Sequence, residues 1–420
     1  MEFAVFIVSG LLAILSVIGK KNDKKNPVFI FCVFWATIVF FASFYWLGYN
    51  KVSNDTWKII LIGICSYAVG AFLMCWKNLK KPRKEEHFRI NRANIIGTIG
   101  VLYTTFKLSR ALPYLLKTMS FAALRKEYWI IGGSITVGTL DYIFDNFFIS
   151  AIALAITVIA FTELFGGKRR NYILFCSIYL NLASVLCSGG RLILLNLVIS
   201  AVGGFWISGK GSFVVLYKNL PLRTQRFLKR ILIVGIAVIM GLTIARQGST
   251  YSFFEALYSY FTLELSLMDY VIKLLDAAGD VTYGFITTMG ITQPFAMLLQ
   301  LMGCIPYPEV YNTLAKYTSP YFDIGGVGKY NAFVTQFFYF YLDGRIWGVI
   351  IADVIIGALY MYFYQKVKHN YGHKYIAIYL IIIINILQSG FIFSFSYPYN
   401  VIAVMLVYFI YGNTKIKLRR

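Results

Sequence analysis

Apolar runs long enough to cross a hydrocarbon core recur from one end of this chain to the other. Residues 3 to 19, Pro27 to Leu47, Trp57 to Trp76 and Asp141 to Leu164 are the clearest in the first half, and a spanning helix needs roughly 20 such residues. With 59% of its residues hydrophobic and 14% charged, a soluble fold would leave most of its surface greasy. The reading is therefore an all-α integral membrane protein, a single polytopic membrane domain over residues 1–420. Met1-Glu2-Phe3 lacks the positive segment of a cleaved signal peptide, so residues 3 to 19 are expected to be a retained first helix.

Charge sets the expected orientation. The formal net charge of +22 would suggest nucleic acid in a soluble protein, but here the lysines and arginines cluster in short loops between apolar runs. That is the positive-inside pattern, so the charge reports topology and no nucleic-acid partner is expected. Lys20, Lys21, Lys24 and Lys25, the stretch Lys77 to Lys84, Lys168-Arg169-Arg170, Lys210 to Arg230, Lys366 to His369 and Lys415 to Arg420 are placed inside. The N-terminus then lies outside and the C-terminus in the cytoplasm, with about eleven spanning helices at the usual span length. Residues 246–330 form one large extracytoplasmic loop with a net acidic balance. Within it Phe253 to Leu275 is expected to be amphipathic and Phe285 to Met302 re-entrant or membrane-apposed. The cysteines suggest neither a disulfide framework nor a zinc site, and no metal or cofactor is expected.

Several arginines fall beside predicted outer helix ends: Arg110, Arg125, Arg191, Arg246 and Arg345. Guanidinium groups stay charged and bind phosphate oxygens two at a time, so they suit an anionic ligand at headgroup depth. They also suit a helix end that snorkels to lipid phosphate. Arg191 and Arg246 stand out because each lies within two residues of glycine, in Ser188-Gly189-Gly190-Arg191 and Arg246-Gln247-Gly248, where backbone can approach a ligand. Asp141 and Asp145 are one helical turn apart at the start of the apolar run Asp141 to Leu164, either as a general base or as helix-capping carboxylates. Asn331 to Gly348 interleaves Phe and Tyr with Asn331, Gln336, Asp343 and Arg345. The rings read equally as interface anchors and as a sugar-binding surface.

These anchors resemble the bacterial oligosaccharide repeat-unit polymerases, the Wzy-type O-antigen and capsule polymerases. One anchor is Ser188-Gly189-Gly190-Arg191 leading into an apolar helix. The other is Asn331, Phe333 and Thr335 ahead of Asp343 and Gly348. The family commonly has Asp-aromatic-Gly near the second anchor, where this chain has Asp343-Gly344-Arg345. The resemblance implies a GT-C-like membrane glycosyltransferase of the bacterial cytoplasmic membrane. Its donor and acceptor would be undecaprenyl-diphosphate-linked oligosaccharide on the outer leaflet, with no nucleotide or metal required. Membrane lipids, a flippase and a chain-length regulator are the implied partners.

On this reading Arg191 and Arg246, with Arg125, would clamp the diphosphate, and Asp141 would serve as base, with Glu127 and Asp323 as lesser candidates. Asn331, Asp343, Arg345 and Lys329 would bind sugar. Two rivals remain. A flippase or other transporter would be expected to carry internal repeats and buried mid-helix charges. An O-antigen ligase would be expected to carry a histidine between Arg246 and Tyr330, where there is none.

Overall fold

The fold is a computed structural model that describes residues 1–18, 23–75, 86–190, 192–209, 222–247, 253–326, 328–331, 333–370 and 372–413. The chain is all-α and 77% helical. Four described helices are long and apolar enough to cross a membrane: Asn54–Cys75, Thr139–Phe165, Asn171–Ser188 and Gln336–Lys368. Five more apolar helices are shorter, Glu2–Ile18, Pro27–Ala42, Leu192–Ser208, His373–Gln388 and Pro398–Ile410. Lys20, Lys21, the stretch from Lys77 to Lys84, most of Lys210 to Arg230 and Lys415 to Arg420 lie outside the described residues. Contacts gather into two compact units. One comprises Met1–Lys80, Phe254–Lys368 and Asn385–Pro398; the other comprises Lys81–Phe253, His369–Ile384 and Tyr399–Arg420.

The first unit is built around a helix pair. Its opening helices are α1 (Glu2–Ile18), α2 (Pro27–Ala42) and α3 (Asn54–Cys75). Asn26 starts α2 by accepting the Phe29 N–H at 2.8 Å, with Pro27 in the first turn where no N–H is missed. The long helix Gln336–Lys368 packs along α3 with backbone against backbone. A Cβ at Gly70 would meet the Val354 carbonyl group, and one at Gly357 the Tyr67 carbonyl group. Small residues at a membrane helix crossing permit this approach. Around the crossing, Phe31 stacks on Tyr67 at 4.0 Å and Trp35 meets Phe337 at 4.6 Å. Asp353 is fully buried beside them and accepts a bond from Gln336 Nε2 at 3.1 Å.

The second unit wraps a central helix. It contains β1 (Glu86–Phe88), α4 (Ile90–Thr118), α5 (Phe121–Tyr128), α6 (Thr139–Ile143), a π-helical turn (Phe144–Ile149), α7 (Ser150–Phe165), α8 (Asn171–Ser188), α9 (Leu192–Ser208) and α10 (Leu222–Gln247). Every residue of α7 from Ala151 to Glu163 is buried, so the helix is apolar all round, as an interior helix should be. α4 runs beside α7 and α8, with Gly97 against Cys176 and Gly100 against Leu180 and Ile152. It runs for 29 residues and continues through Pro113 to Thr118. Met119 stops it in the left-handed region (φ 49°), and Ser120 then caps α5 by accepting the Ala123 N–H. At the far end of α7, Glu163 accepts the Tyr411 hydroxyl at 2.8 Å, next to a short antiparallel pairing of Glu86–Phe88 with Tyr411–Asn413.

Candidate functional site

Polar chemistry in the second unit collects where α4 faces the start of α7. Tyr103, Lys107 and Arg110 fall at i, i+4 and i+7, so one face of α4 carries all three. Asp141 lies on α6 and Asp145 in the π-helical turn that follows. Such a turn holds one extra residue per loop, and π turns are found frequently at functional sites. Lys107 Nζ pairs with Asp145 Oδ2, and the Tyr128 hydroxyl donates to the same oxygen at 2.6 Å. Lys107 also sits 4.8 Å from the Tyr128 ring centroid. The Tyr103 hydroxyl donates to Asp141 Oδ1, the Val137 N–H donates to Oδ2 at 3.0 Å, and Arg110 Nη1 lies 3.5 Å from Oδ2.

The Lys107 and Asp145 side chains are only 3% and 10% exposed. Removing one partner of such a pair costs about 3–5 kcal/mol, yet apolar side chains of equal volume often stabilise as well or better. Burial, with the Asp145 charge and hydrogen bond adding to it, pushes the Tyr128 phenol well above its ordinary range, which keeps it a donor. A recess of about 30 Å³ opens beside the pair, lined by Thr104, Lys107, Tyr128, Asp145, Cys187 and Ser188. That is room for about two waters or one hydroxyl group, not for a sugar ring. Thr104 Oγ1 is buried there and makes no hydrogen bond among the described residues.

The recess ends at the small-residue turn. α8 stops at Ser188 because Gly189 takes φ 62° and returns its N–H to Val185 O at 2.8 Å. Ser188 Oγ accepts the Gly190 N–H at 3.1 Å. Arg125 of α5 lies against this turn. A Cβ at Gly189 would stand 3.2 Å from the Phe121 carbonyl oxygen and 3.6 Å from Arg125 Cβ; one at Gly190 would stand 3.8 Å from Arg125 Nη1. Arg191 lies outside the described residues, and Arg246 ends α10 with its backbone alone described. The unit thus brings Arg125 to the predicted glycine turn, and places Asp141 in the charged layer beside Asp145. Lys107, Tyr128 and Thr104 were missed by sequence reasoning. A lone lysine on the Tyr103-Lys107-Arg110 face was the available signal.

The remaining candidates lie in the first unit. Its later helices are α11 (Phe253–Ala278), α12 (Met289–Leu301), α13 (Val310–Thr318) and α14 (Gln336–Lys368). α14 is broken at Gly344 and Arg345, where Arg345 holds φ 53°. Asp343 stands directly before the break and ties it to the segment 282–287. Its carboxylate accepts the Thr282 hydroxyl and the N–H groups of Ile286 and Thr287, at 3.0 and 2.6 Å. Arg345 Nη1 binds Asp276 Oδ1 at 2.9 Å, and the Tyr341 hydroxyl donates to the same carboxylate. Asn331 donates to the Ser319 carbonyl at 3.0 Å, while Lys329 is exposed. Four of the rings expected to stack on sugar or anchor the interface are core instead, while Trp347 is exposed. Phe337, Phe338, Tyr339 and Phe340 are at most 1% exposed, and Phe340 meets Phe393 at 4.8 Å.

Comparison with protein-family models, curated proteins and solved structures found no match.

Proposed function

We propose that this chain is a multi-pass enzyme of the bacterial cytoplasmic membrane that polymerises undecaprenyl-diphosphate-linked oligosaccharide repeat units. The transfer takes place at the outer leaflet, with about eleven passes, the N-terminus outside and the C-terminus in the cytoplasm. The growing chain moves from its lipid carrier to a sugar hydroxyl on the next unit. Arg125, Arg191 and Arg246 hold the diphosphate and meet the charge that develops as it leaves. Fixed cations aimed at developing charge are a large catalytic contribution because they need no reorganisation during reaction.

The observation that carries this reading is the seat of Arg125 against the Gly189-Gly190 backbone, directly before Arg191. Two features chosen independently from the sequence meet there, with a buried acid–base cluster adjoining. A second reading, flipping of the same lipid, draws on Asp353. It is a fully buried acid within an apolar 33-residue helix, and its Oδ2 has no hydrogen-bond partner among the described residues.

The test is polysaccharide length in a strain lacking the chain, resolved to single repeat units on a gel. Loss of the long ladder, with single lipid-linked units remaining at the outer leaflet, is the expected result. Arg125→Ala, Arg191→Ala and Arg246→Ala should each express normally and cut polymer yield roughly 10²–10³-fold. A normal ladder in all three rejects the clamp, and units stalled on the cytoplasmic side favour the flippase.

A further inference from the structure

We propose that Asp145 is the catalytic base of the transfer, and that the recess beside it admits the attacking sugar hydroxyl. The inference rests on the polymerase reading and names a site within it.

Among the described residues, both hydrogen bonds to the Asp145 carboxylate fall on Oδ2, from Lys107 and Tyr128. Oδ1 is left for a further donor. Asp141, the base expected from the sequence, has both oxygens engaged, by Tyr103 on one and by Val137 and Arg110 on the other. Its part is to hold the charged face of α4. Glu127 accepts the N–H and the hydroxyl of Ser134 on one oxygen and is not among the residues that line the recess.

The recess at Asp145 matches a hydroxyl in size and chemistry. Its volume of about 30 Å³ takes a hydroxyl and leaves the sugar ring outside. Thr104 lines it, is 3% exposed, and offers a hydroxyl without a partner among the described residues. Ser188 also lines it, one residue before the glycine turn on which Arg125 rests. Nucleophile and leaving group therefore meet at one end of the unit. Asp145, in the π-helical turn, and Asp141, four residues earlier, both face α4.

In the step, the acceptor O–H bond breaks and its proton goes to Asp145 Oδ1. The freed oxygen bonds to the anomeric carbon of the donor sugar. The bond from that carbon to the diphosphate oxygen breaks, and its electron pair leaves with undecaprenyl diphosphate, where Arg125 meets the charge. Lys107 and Tyr128 are positioning residues that fix Oδ2 and turn Oδ1 to the recess.

The test uses the full chain in lipid nanodiscs and undecaprenyl-diphosphate-linked repeat units extracted from a strain lacking it. Asp145→Asn should lower kcat by roughly 10²–10⁴-fold and leave KM within about threefold, with a monodisperse elution profile. The rival is a pair that only ties two helices together. That rival predicts recovery in the exchanged variant Lys107→Asp with Asp145→Lys, whereas a base at 145 predicts that it stays inactive. Asp145→Gly should regain at least tenfold activity with added formate, which enters the enlarged recess and replaces the carboxylate. Wild-type kcat in Asp145→Asn, recovery in the exchanged variant, or no formate rescue overturns the assignment. Absence of transfer by the unmodified chain overturns the polymerase reading itself, and the two failures are thereby told apart.

Discussion

Asp269 accepts four hydrogen bonds: the Ser53 N–H at 2.9 Å, the Ser53 hydroxyl, the Thr56 hydroxyl at 2.7 Å and Lys273 Nζ at 2.6 Å. Burial pushes its carboxyl upward, but the donors from Lys273, Ser53 and Thr56 together outweigh it and hold the group below the ordinary aspartate range. Asp280 is lowered too, by Lys316 and Tyr317. A carboxylate with a depressed folded pKa stabilises the fold fully above its unfolded pKa, and loses that contribution as pH falls through the folded value. The melting temperature of the chain in nanodiscs should therefore drop between about pH 5 and pH 2. Asp269→Asn should lower it at neutral pH and shrink the acid-dependent part. An unchanged acid profile in that variant contradicts the assignment. At this scale the sequence exposed Asp141 and Asp145 as neighbours on one face, which holds, since both turn toward α4. It could not expose their different duties, because the partners Tyr103, Lys107 and Tyr128 are distant in sequence or belong to another helix.

At the scale of elements, the crossing of α3 and α14 depends on glycine. A Cβ at Gly70 falls on the Val354 backbone, which cannot swing aside as a side chain would. Gly70→Val should therefore force the helices apart, costing about 1–3 kcal/mol or more, while Gly10→Ala, in open space, should be nearly silent. Thermal unfolding followed by tryptophan fluorescence compares the two, and equal stabilities would deny the close packing. Spans of high hydropathy were legible as helices before any coordinates, notably Asn54–Cys75 and Thr139–Phe165. The aromatic stretch from Phe337 to Phe340 was not legible in its role. A helix apolar on all sides gives no periodic signal to separate core from interface or ligand surface. Nor could pattern alone foresee that Asp343 would tie the break in its helix to another segment, since the donors come from residues 282 to 287. Arg345 finds its partner in Asp276 across a similar separation.

For the molecule as a whole, hydropathy announced the class, and the described fold is all-α with four helices able to span a membrane by length and composition. The proposed function draws on two short anchors, and Arg125 rests on the glycine turn of the first. The Asn331 to Gly348 anchor is held largely by its own unit, through Ser319, Asp276 and the 282–287 segment. The central claim is glycosyl transfer between lipid-linked units, and the most direct measurement is the reaction with purified parts. The full chain, reconstituted with undecaprenyl-diphosphate-linked repeat units from a strain lacking it, should yield a ladder of joined units. Free undecaprenyl diphosphate should appear in step, one carrier per bond formed, without nucleotide. Intact single units that are carried across the bilayer without being joined would contradict the account.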